Sequence, residues 1–165
     1  MKYEEIYKDV TKALPEYVTA QCISNDCAMG AGVALAFRKA FPGLKEACQE
    51  YMKEPIWIDD PKIPKPYRHE DKEVGVVYNM FTKPRYWLKA GKGISYEEYI
   101  NHLKVSLIHV KEMMKEHGEN KLAMPLIGAG LDRCKWSDVK SVIHEVFEDT
   151  DINVLICHYE PEKSR

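Results

Sequence analysis

Short apolar runs alternate along this chain with segments in which apolar residues recur every three or four positions. The runs are rich in β-branched residues and predict buried strands, whereas the periodic segments predict helices. We expect strands over 3–10, 17–24, 74–81, 122–127 and 152–157. We expect helices in four places: a largely buried one from Ala31, one from Leu44 to Met52, one from Ser95 to about Gly118, and one capped by Ser137. This alternation favours an α/β domain with helices on both faces of a sheet.

Two irregular segments interrupt the alternation. Residues 53–73 contain four prolines among charged residues, and 56–58 is the only strand-like run among them. Because proline cannot donate to a strand ladder, we expect a long surface loop there, with at most one edge strand. Residues 86–94 form the second irregular segment, between a predicted strand and a predicted helix.

Length and composition limit the number of domains and the class of protein. A chain of 165 residues suits one domain, which we place over 1–160, followed by a charged tail over 161–165. The formal net charge of -2 carries no signature of duplex nucleic-acid binding. Five scattered cysteines favour a reduced, cytoplasmic protein over a disulfide-linked one. No apolar run is long enough to span a membrane. We therefore expect a soluble monomer.

The stretch from Cys22 to Ala34 passes from a strand through small residues to a helix start. Gly30 and Gly32 have no Cβ, so the backbone there can adopt positive φ and approach a ligand closely. The helix start adds unpaired N–H groups and a positive dipole end, which suit a phosphate. A tight turn with nothing bound explains this stretch equally well. Residues 125–133 repeat the order of strand, glycine and helix, and two such loops can wrap a diphosphate.

Reactive residues follow three of the predicted strands, at the ends where ligands gather in α/β sheets. Ser24 and Asn25 follow one strand, Lys83 follows another, and Asp132 and Arg133 follow a third. The glycine spacing matches neither the phosphate-loop pattern nor the Gly-x-Gly-x-x-Gly fingerprint. A nucleotide kinase and a nicotinamide oxidoreductase are therefore disfavoured.

Lys83 is either a solvated lysine or a site amine. An amine with a pKa of ~10.4 is almost fully protonated at pH 7, so a nucleophilic role requires a dry pocket or a nearby cation, for which Arg133 is the candidate. Asp132 is either a helix-start carboxylate paired with its neighbour or a general acid–base group. The cysteine and histidine spacings match no zinc motif, and we expect neither a metal nor a cofactor.

Three motifs of this chain occur together: Cys22-Ile23-Ser24-x-Asp26-Cys27-x-Met29-Gly30-Ala31-Gly32, then Thr82-Lys83, and then Met124-Pro125-x-Ile127-Gly128-x-Gly130-Leu131-Asp132-Arg133 with Trp136. They resemble the macrodomains of the terminal ADP-ribose protein glycohydrolase type, over about residues 6–157. The resemblance implies a three-layer α/β/α fold with a central mixed sheet. It also implies a cleft for ADP-ribose at the strand ends.

The resemblance implies roles for individual residues. Lys83 would attack the anomeric carbon of the distal ribose and Asp132 would serve as acid and base, releasing ADP-ribose from an ester with an acidic side chain of a protein. Related members deacetylate O-acetyl-ADP-ribose, and some antitoxin macrodomains remove ADP-ribose from DNA bases. The implied substrate contacts are Asp9, Val10, Cys22, Ser24, Met29, Gly30, Ala31, Gly32, Ile127, Gly128, Ala129, Gly130, Leu131 and Arg133.

The chain also departs from that family pattern. Lys8 stands where a glycine precedes the adenine-binding aspartate, here Asp9, and Cys157 replaces an aromatic residue, with Tyr159 two residues on. The inserts 55–73 and 86–94 are candidates for a lid or a partner surface. A non-catalytic ADP-ribose reader and an ADP-ribose 1''-phosphate phosphatase remain alternatives to the hydrolase.

Overall fold

The computed structural model describes residues 1–159, so the charged tail expected over 161–165 lies outside the described residues. Within the described range the strands are β1 (Lys2–Tyr7), β2 (Val18–Ser24), β3 (Trp57–Ile58), β4 (Ile63–Pro64), β5 (Tyr67–Asp71), β6 (Gly75–Lys83), β7 (Lys89–Ala90), β8 (Gly93–Ile94), β9 (Lys121–Met124) and β10 (Asn153–His158). The α-helices are α1 (Gly32–Ala40), α2 (Leu44–Tyr51), α3 (Tyr96–Glu116) and α4 (Trp136–Phe147). A short 3-10 helix, Val10–Ala13, follows β1.

The main sheet is mixed, as the sequence motifs predict. Its strand order is β1-β10-β9-β2-β6-β5, and every neighbouring pair is parallel except β5 with β6. Because β2, β6 and β9 run in one direction, the loops after them leave the same edge of the sheet. The two glycine loops and Lys83 therefore meet at one end of the molecule.

Helices cover both faces of the sheet. Helices α3 and α4 share one buried cluster with side chains such as Tyr78 and Met80 of β6. The 3-10 helix, α1 and α2 share a second cluster with Val77 and Phe81 of the same strand. Successive side chains of a strand point to opposite faces, so β6 supplies both clusters. The three-layer α/β/α architecture is confirmed.

Of the four α-helices, α3 is the one that its sequence explains most directly. The Ser95 hydroxyl accepts a hydrogen bond from the Glu98 N–H at 3.0 Å, which satisfies one of the free donors of the first turn. Its apolar side chains recur on the face that is buried against the sheet and α4. The helix ends before Gly118, which has a φ of +67° and adopts the left-handed conformation that glycine tolerates best.

Three local predictions were wrong. Ser137 does not cap α4: the N-cap is Lys135, and the indole N–H of Trp136 at the first helical position bonds Glu5 at 3.3 Å. Residues 67–71 are not loop but form β5, because their backbone pairs with β6 although their side chains are polar. Helix α1 is not largely buried, since Phe37 is its single buried residue.

Among residues 1–159, no helix is both long enough and apolar enough to cross a membrane.

Candidate functional site

Lys83 and Asp132 form an ion pair at the sheet edge. Lys83 is the last residue of β6 and is 7% exposed. Its ammonium donates to Oδ1 of Asp132 at 2.5 Å, to the Tyr86 carbonyl at 2.9 Å and to the Leu88 carbonyl at 2.8 Å. A lysine ammonium has three N–H donors, so all of them are used. These contacts fix the nitrogen in place, with one carboxylate oxygen positioned to accept a proton from it.

The backbone holds this pair in place from two sides. The Asn25 N–H, just beyond β2, donates to the Lys83 carbonyl at 2.9 Å. The Ala90 N–H, in the second insert, donates to the Asp132 carbonyl at 3.0 Å. The main chain at Lys83 and at Asp132 is thus held by two loops that are distant in the sequence.

A buried hydroxyl lies directly beneath the pair. Tyr99 of α3 donates its O–H to Oδ2 of Asp132, and the Thr82 hydroxyl donates to the Tyr99 oxygen at 3.3 Å. Tyr99 and Thr82 are each 0% exposed. Burial raises the pKa of Tyr99 well above its ordinary value, and Cys22 and Asp132 raise it further. The hydroxyl is therefore a permanent donor to the carboxylate.

Sequence reasoning did not identify Tyr99 as a residue of the site. The available signal is a polar hydroxyl on a helix face that the apolar pattern predicts to be buried. The sequence does not reveal the hydrogen-bond partner of that hydroxyl. Cys22, expected to contact substrate, has its thiol against this buried group. Burial raises the pKa of the Cys22 thiol, and the nearby Asp132 carboxylate raises it further. The Cys22 thiol is therefore unreactive, and the residue only lines the site.

The two glycine loops face each other. A Cβ placed on Gly32 would lie 3.4 Å from Cδ1 of Leu131, and Leu131 is 61% exposed. The exposed members of the loops are Gly30, Ala31, Gly32, Gly130, Leu131 and Arg133. Gly32 and Gly128 have positive φ, whereas Gly30 and Gly130 do not. The exposed backbone of both loops is available to a ligand.

Other predicted contact residues face inward. The side chains of Met29, Ile127 and Val10 are buried in the two clusters, so any contact that these residues make with a ligand involves their backbone. Ala129 is half-buried between the loop backbone and the surface. Ser24 is 4% exposed and its hydroxyl donates to Asp26.

Asp9 begins the 3-10 helix after β1. Its Oδ1 accepts from the N–H of Thr11 at 2.9 Å and from the hydroxyl of Thr11 at 2.8 Å. The second oxygen has no hydrogen-bond partner among the described residues, which leaves it for a ligand. Tyr159, 54% exposed, follows the neighbouring strand β10. This region lies on the far side of the glycine loops from Lys83.

Arg133 does not pair with its neighbour Asp132, whose ion-pair partner is Lys83. The Arg133 side chain is exposed and forms no ion pair with residues 1–159, while its backbone has a φ of +65°. The group that faces Lys83 is the Asp132 carboxylate. An amine nucleophile at this site therefore depends on proton transfer to Asp132.

The two inserts flank a cavity of about 400 Å³ beside Lys83. Lys62 of the β3–β4 hairpin lines one wall, and Gly93 and His102 line the other. On the rim of the second insert, Tyr86 and Trp87 are each 59% exposed. The segments that the sequence marked as irregular thus border the predicted catalytic lysine.

Known proteins resemble this chain in sequence and in fold. The family described as Macro domain matches residues 21–143. The human protein named ADP-ribose glycohydrolase OARD1 is 34% identical over 139 residues, which cover 83% of this chain and 78% of the human protein.

Two solved structures share the fold. The macrodomain of Mycobacterium tuberculosis DarG superposes with a TM-score of 0.75 at 20% identity, covering 97% of this chain and 98% of that one. Thermosipho africanus DarTG, solved in complex with ADP-ribose, gives a TM-score of 0.65 at 19% identity, covering 90% of this chain and 39% of that one. With a family match over most of its length and a human relative above 30% identity, the chain belongs to the macrodomain family, as its three motifs predict.

Proposed function

We propose that this protein is an ADP-ribosyl hydrolase that binds ADP-ribose and removes mono-ADP-ribose from glutamate and aspartate esters of proteins. The observation that carries the proposal is the pair of Lys83 and Asp132, joined at 2.5 Å at the sheet edge where both glycine loops lie. The human relative named as an ADP-ribose glycohydrolase supports the same reaction class. Both chemical groups that the reaction requires are present and adjacent.

The ligand would lie along the strand ends. The backbone of the loops at Gly32 and Gly130 would hold the diphosphate, since free N–H groups at a helix start favour anions. The unpaired oxygen of Asp9 would accept from the adenine amino group. The distal ribose would then reach Lys83 and Asp132. Arg133, exposed at the loop, is placed to offset phosphate charge.

The reaction would begin with proton transfer from Lys83 Nζ to Oδ1 of Asp132. The neutral amine then bonds to the anomeric carbon of the distal ribose, while the bond from that carbon to the ester oxygen breaks and its electron pair leaves with the protein carboxylate. Water next bonds to the same carbon as the carbon–nitrogen bond breaks. A proton of the water goes to Nζ, and Asp132 releases its proton to solvent.

The same site would accept related esters. O-acetyl-ADP-ribose would react by the same steps when its ester is on the anomeric oxygen, with acetate as the leaving group. We expect the protein to act as a monomer. The free cysteines among the described residues fit a reducing cytoplasm.

The test uses Lys83→Ala and Asp132→Ala, assayed on glutamate-linked mono-ADP-ribosylated protein. We expect each variant to lose about 100-fold or more of kcat, since general acid–base groups contribute on that scale. Calorimetry should show that ADP-ribose still binds. Lys92→Ala, at an exposed lysine of the second insert, is the control and should retain activity.

Four outcomes separate the alternatives. The ribose ring of the Lys83 adduct can open to an imine, which borohydride should reduce to a stable amine that mass spectrometry locates on Lys83. Full activity in both variants would reject the lysine mechanism, and activity in the lysine variant alone would favour chemistry by Asp132 without Lys83. Tight ADP-ribose binding with no release by the unmodified protein would make it a reader. Serine-linked and thymidine-linked substrates, run in parallel, define the linkage.

A further inference from the structure

The two oxygens of Asp132 have different partners. Oδ1 accepts from Lys83 at 2.5 Å, and Oδ2 accepts from the hydroxyl of Tyr99. Tyr99 lies in the first turns of α3, on its buried face, and is 0% exposed. The carboxylate is therefore clamped between a charged donor at the surface and a neutral donor in the core.

The direction of the Tyr99 hydrogen bond is fixed by its neighbours. The Thr82 hydroxyl lies 3.3 Å from the Tyr99 oxygen, and one ring nitrogen of His102 lies 3.0 Å from the Thr82 carbonyl. A phenol has a single proton, so a hydroxyl that accepts from Thr82 is free to donate to Asp132. Both Tyr99 and His102 are on α3, which ties this helix to the end of β6.

Packing also restricts the Tyr99 ring. A Cβ on Gly128 would lie 3.3 Å from Cε1 of Tyr99, so the ring fits against the bare backbone of the second glycine loop. A ring held on one side by a loop and buried in a helix face has little freedom to turn. Its hydroxyl therefore stays at one position relative to Asp132.

We propose that Tyr99 is a positioning residue, which holds Oδ2 of Asp132 so that Oδ1 remains directed at the Lys83 amine. The inference rests on the proposed function, in which Asp132 takes a proton from Lys83. Because Oδ2 already accepts from Tyr99, the incoming proton is added at Oδ1, and the same oxygen releases it. One carboxylate oxygen thus performs the chemistry while the other anchors the side chain.

The kinetic test compares Tyr99→Phe with the unmodified protein. The phenyl ring keeps the packing against Gly128 and removes only the hydroxyl. We expect kcat to fall by about 10-fold to 100-fold, as for a catalytic group that is misplaced by a fraction of an ångström to an ångström. KM and the Kd for ADP-ribose should stay within about twofold, since the substrate does not contact Tyr99.

Tyr78→Phe is the matched control. Tyr78 is also 0% exposed, and its hydroxyl also donates to a carboxylate, that of Glu119 at 2.5 Å. Glu119 precedes β9, at the opposite end of the sheet from Asp132. This variant should lose a comparable hydrogen bond and keep its kcat. An equal fall of kcat in both variants would reduce Tyr99 to a structural role and overturn the proposal.

A spectroscopic measurement does not depend on turnover. The hydroxyl proton of Tyr99 is buried, and NMR should detect it and assign it through its own ring protons. Asp132→Asn should shift this resonance, whereas Glu119→Gln should leave it in place. An unmoved resonance in Asp132→Asn would refute the contact, even if Tyr99→Phe fails to fold. If the unmodified protein releases no ADP-ribose, the proposed function fails while this spectrum still decides the Tyr99 contact.

Discussion

Gly128 connects the second glycine loop to the buried tyrosine below it. Its φ of +70° lies in the left-handed region, which costs other residues roughly 1–2 kcal/mol. A Cβ here would also approach Cε1 of Tyr99 to 3.3 Å and Sγ of Cys134 to 3.7 Å. A side chain at this position would therefore strain the backbone and press on the ring that contacts Asp132.

Gly128→Ala should separate these two effects when it is compared with Gly118→Ala. Gly118 has a similar φ of +67°, but no atom lies within 4 Å of its Cβ position. We expect both variants to lose about 1 kcal/mol of stability in urea unfolding, and only Gly128→Ala to lose kcat as well. Equal activity in the two variants would show that a side chain at position 128, in contact with Tyr99, does not affect catalysis.

At the scale of the elements, Glu5 links strand β1 to its neighbours. Its carboxylate accepts from His158 of β10 at 2.7 Å, from the Trp136 indole of α4 at 3.3 Å and from the Tyr3 hydroxyl at 2.5 Å. Burial raises the pKa of Glu5, but the hydrogen bonds from Tyr3, His158 and Trp136 outweigh it and lower the pKa to about 2. The edge strand is therefore held by an ionised group.

This linkage predicts an acid-sensitive contribution to stability. Because the folded-state pKa lies below the ordinary value of 4.5, the contribution is present in full above that pH and is lost as the pH falls toward 2. In urea unfolding from pH 7 to pH 3, Glu5→Gln should start lower and decline less than the unmodified protein. Glu4→Gln, at the exposed neighbour, should follow the unmodified curve. Identical curves for both variants would contradict the assignment.

The predictable elements are those whose own pattern decides their structure. Strands β2, β6, β9 and β10 are apolar runs that are buried on both faces, and α3 has both a cap and a periodic face. The strand β5 was missed because its side chains, from Tyr67 to Asp71, are polar, and its pairing with the β6 backbone is a tertiary property. Propensity and periodicity do not record such a contact.

The same distinction applies to the candidate site. Lys83 and Asp132 were identifiable because they follow predicted strands and belong to recognisable motifs. Tyr99 was not, since its partner Asp132 lies 33 residues further along the chain. The cation expected from Arg133 stays a prediction, because sequence adjacency to Asp132 does not fix the direction of its side chain. Sequence thus identified the charged groups, and only the structure shows what orients them.

At the scale of the whole molecule, one sheet joins two buried clusters. Strand β6 contributes Tyr78 and Met80 to the cluster under α3 and α4, and Val77 and Phe81 to the cluster under α1 and α2. Loss of either cluster removes the support on one face of a strand that carries Lys83 at its end. The two faces are therefore expected to unfold together.

Core truncations on opposite faces test this cooperativity. Phe41→Ala and Leu107→Ala each remove a side chain that is 0% exposed, one from each cluster, and should cost about 3–5 and 2–5 kcal/mol. Each variant should still unfold in a single transition by near-ultraviolet and far-ultraviolet circular dichroism. Ile56→Ala, at a side chain 61% exposed, should change stability by no more than about 0.5 kcal/mol. Two separate transitions in either core variant would show that the two faces unfold independently. Loss of packing on the α1 face would then leave the ion pair of Lys83 and Asp132 intact.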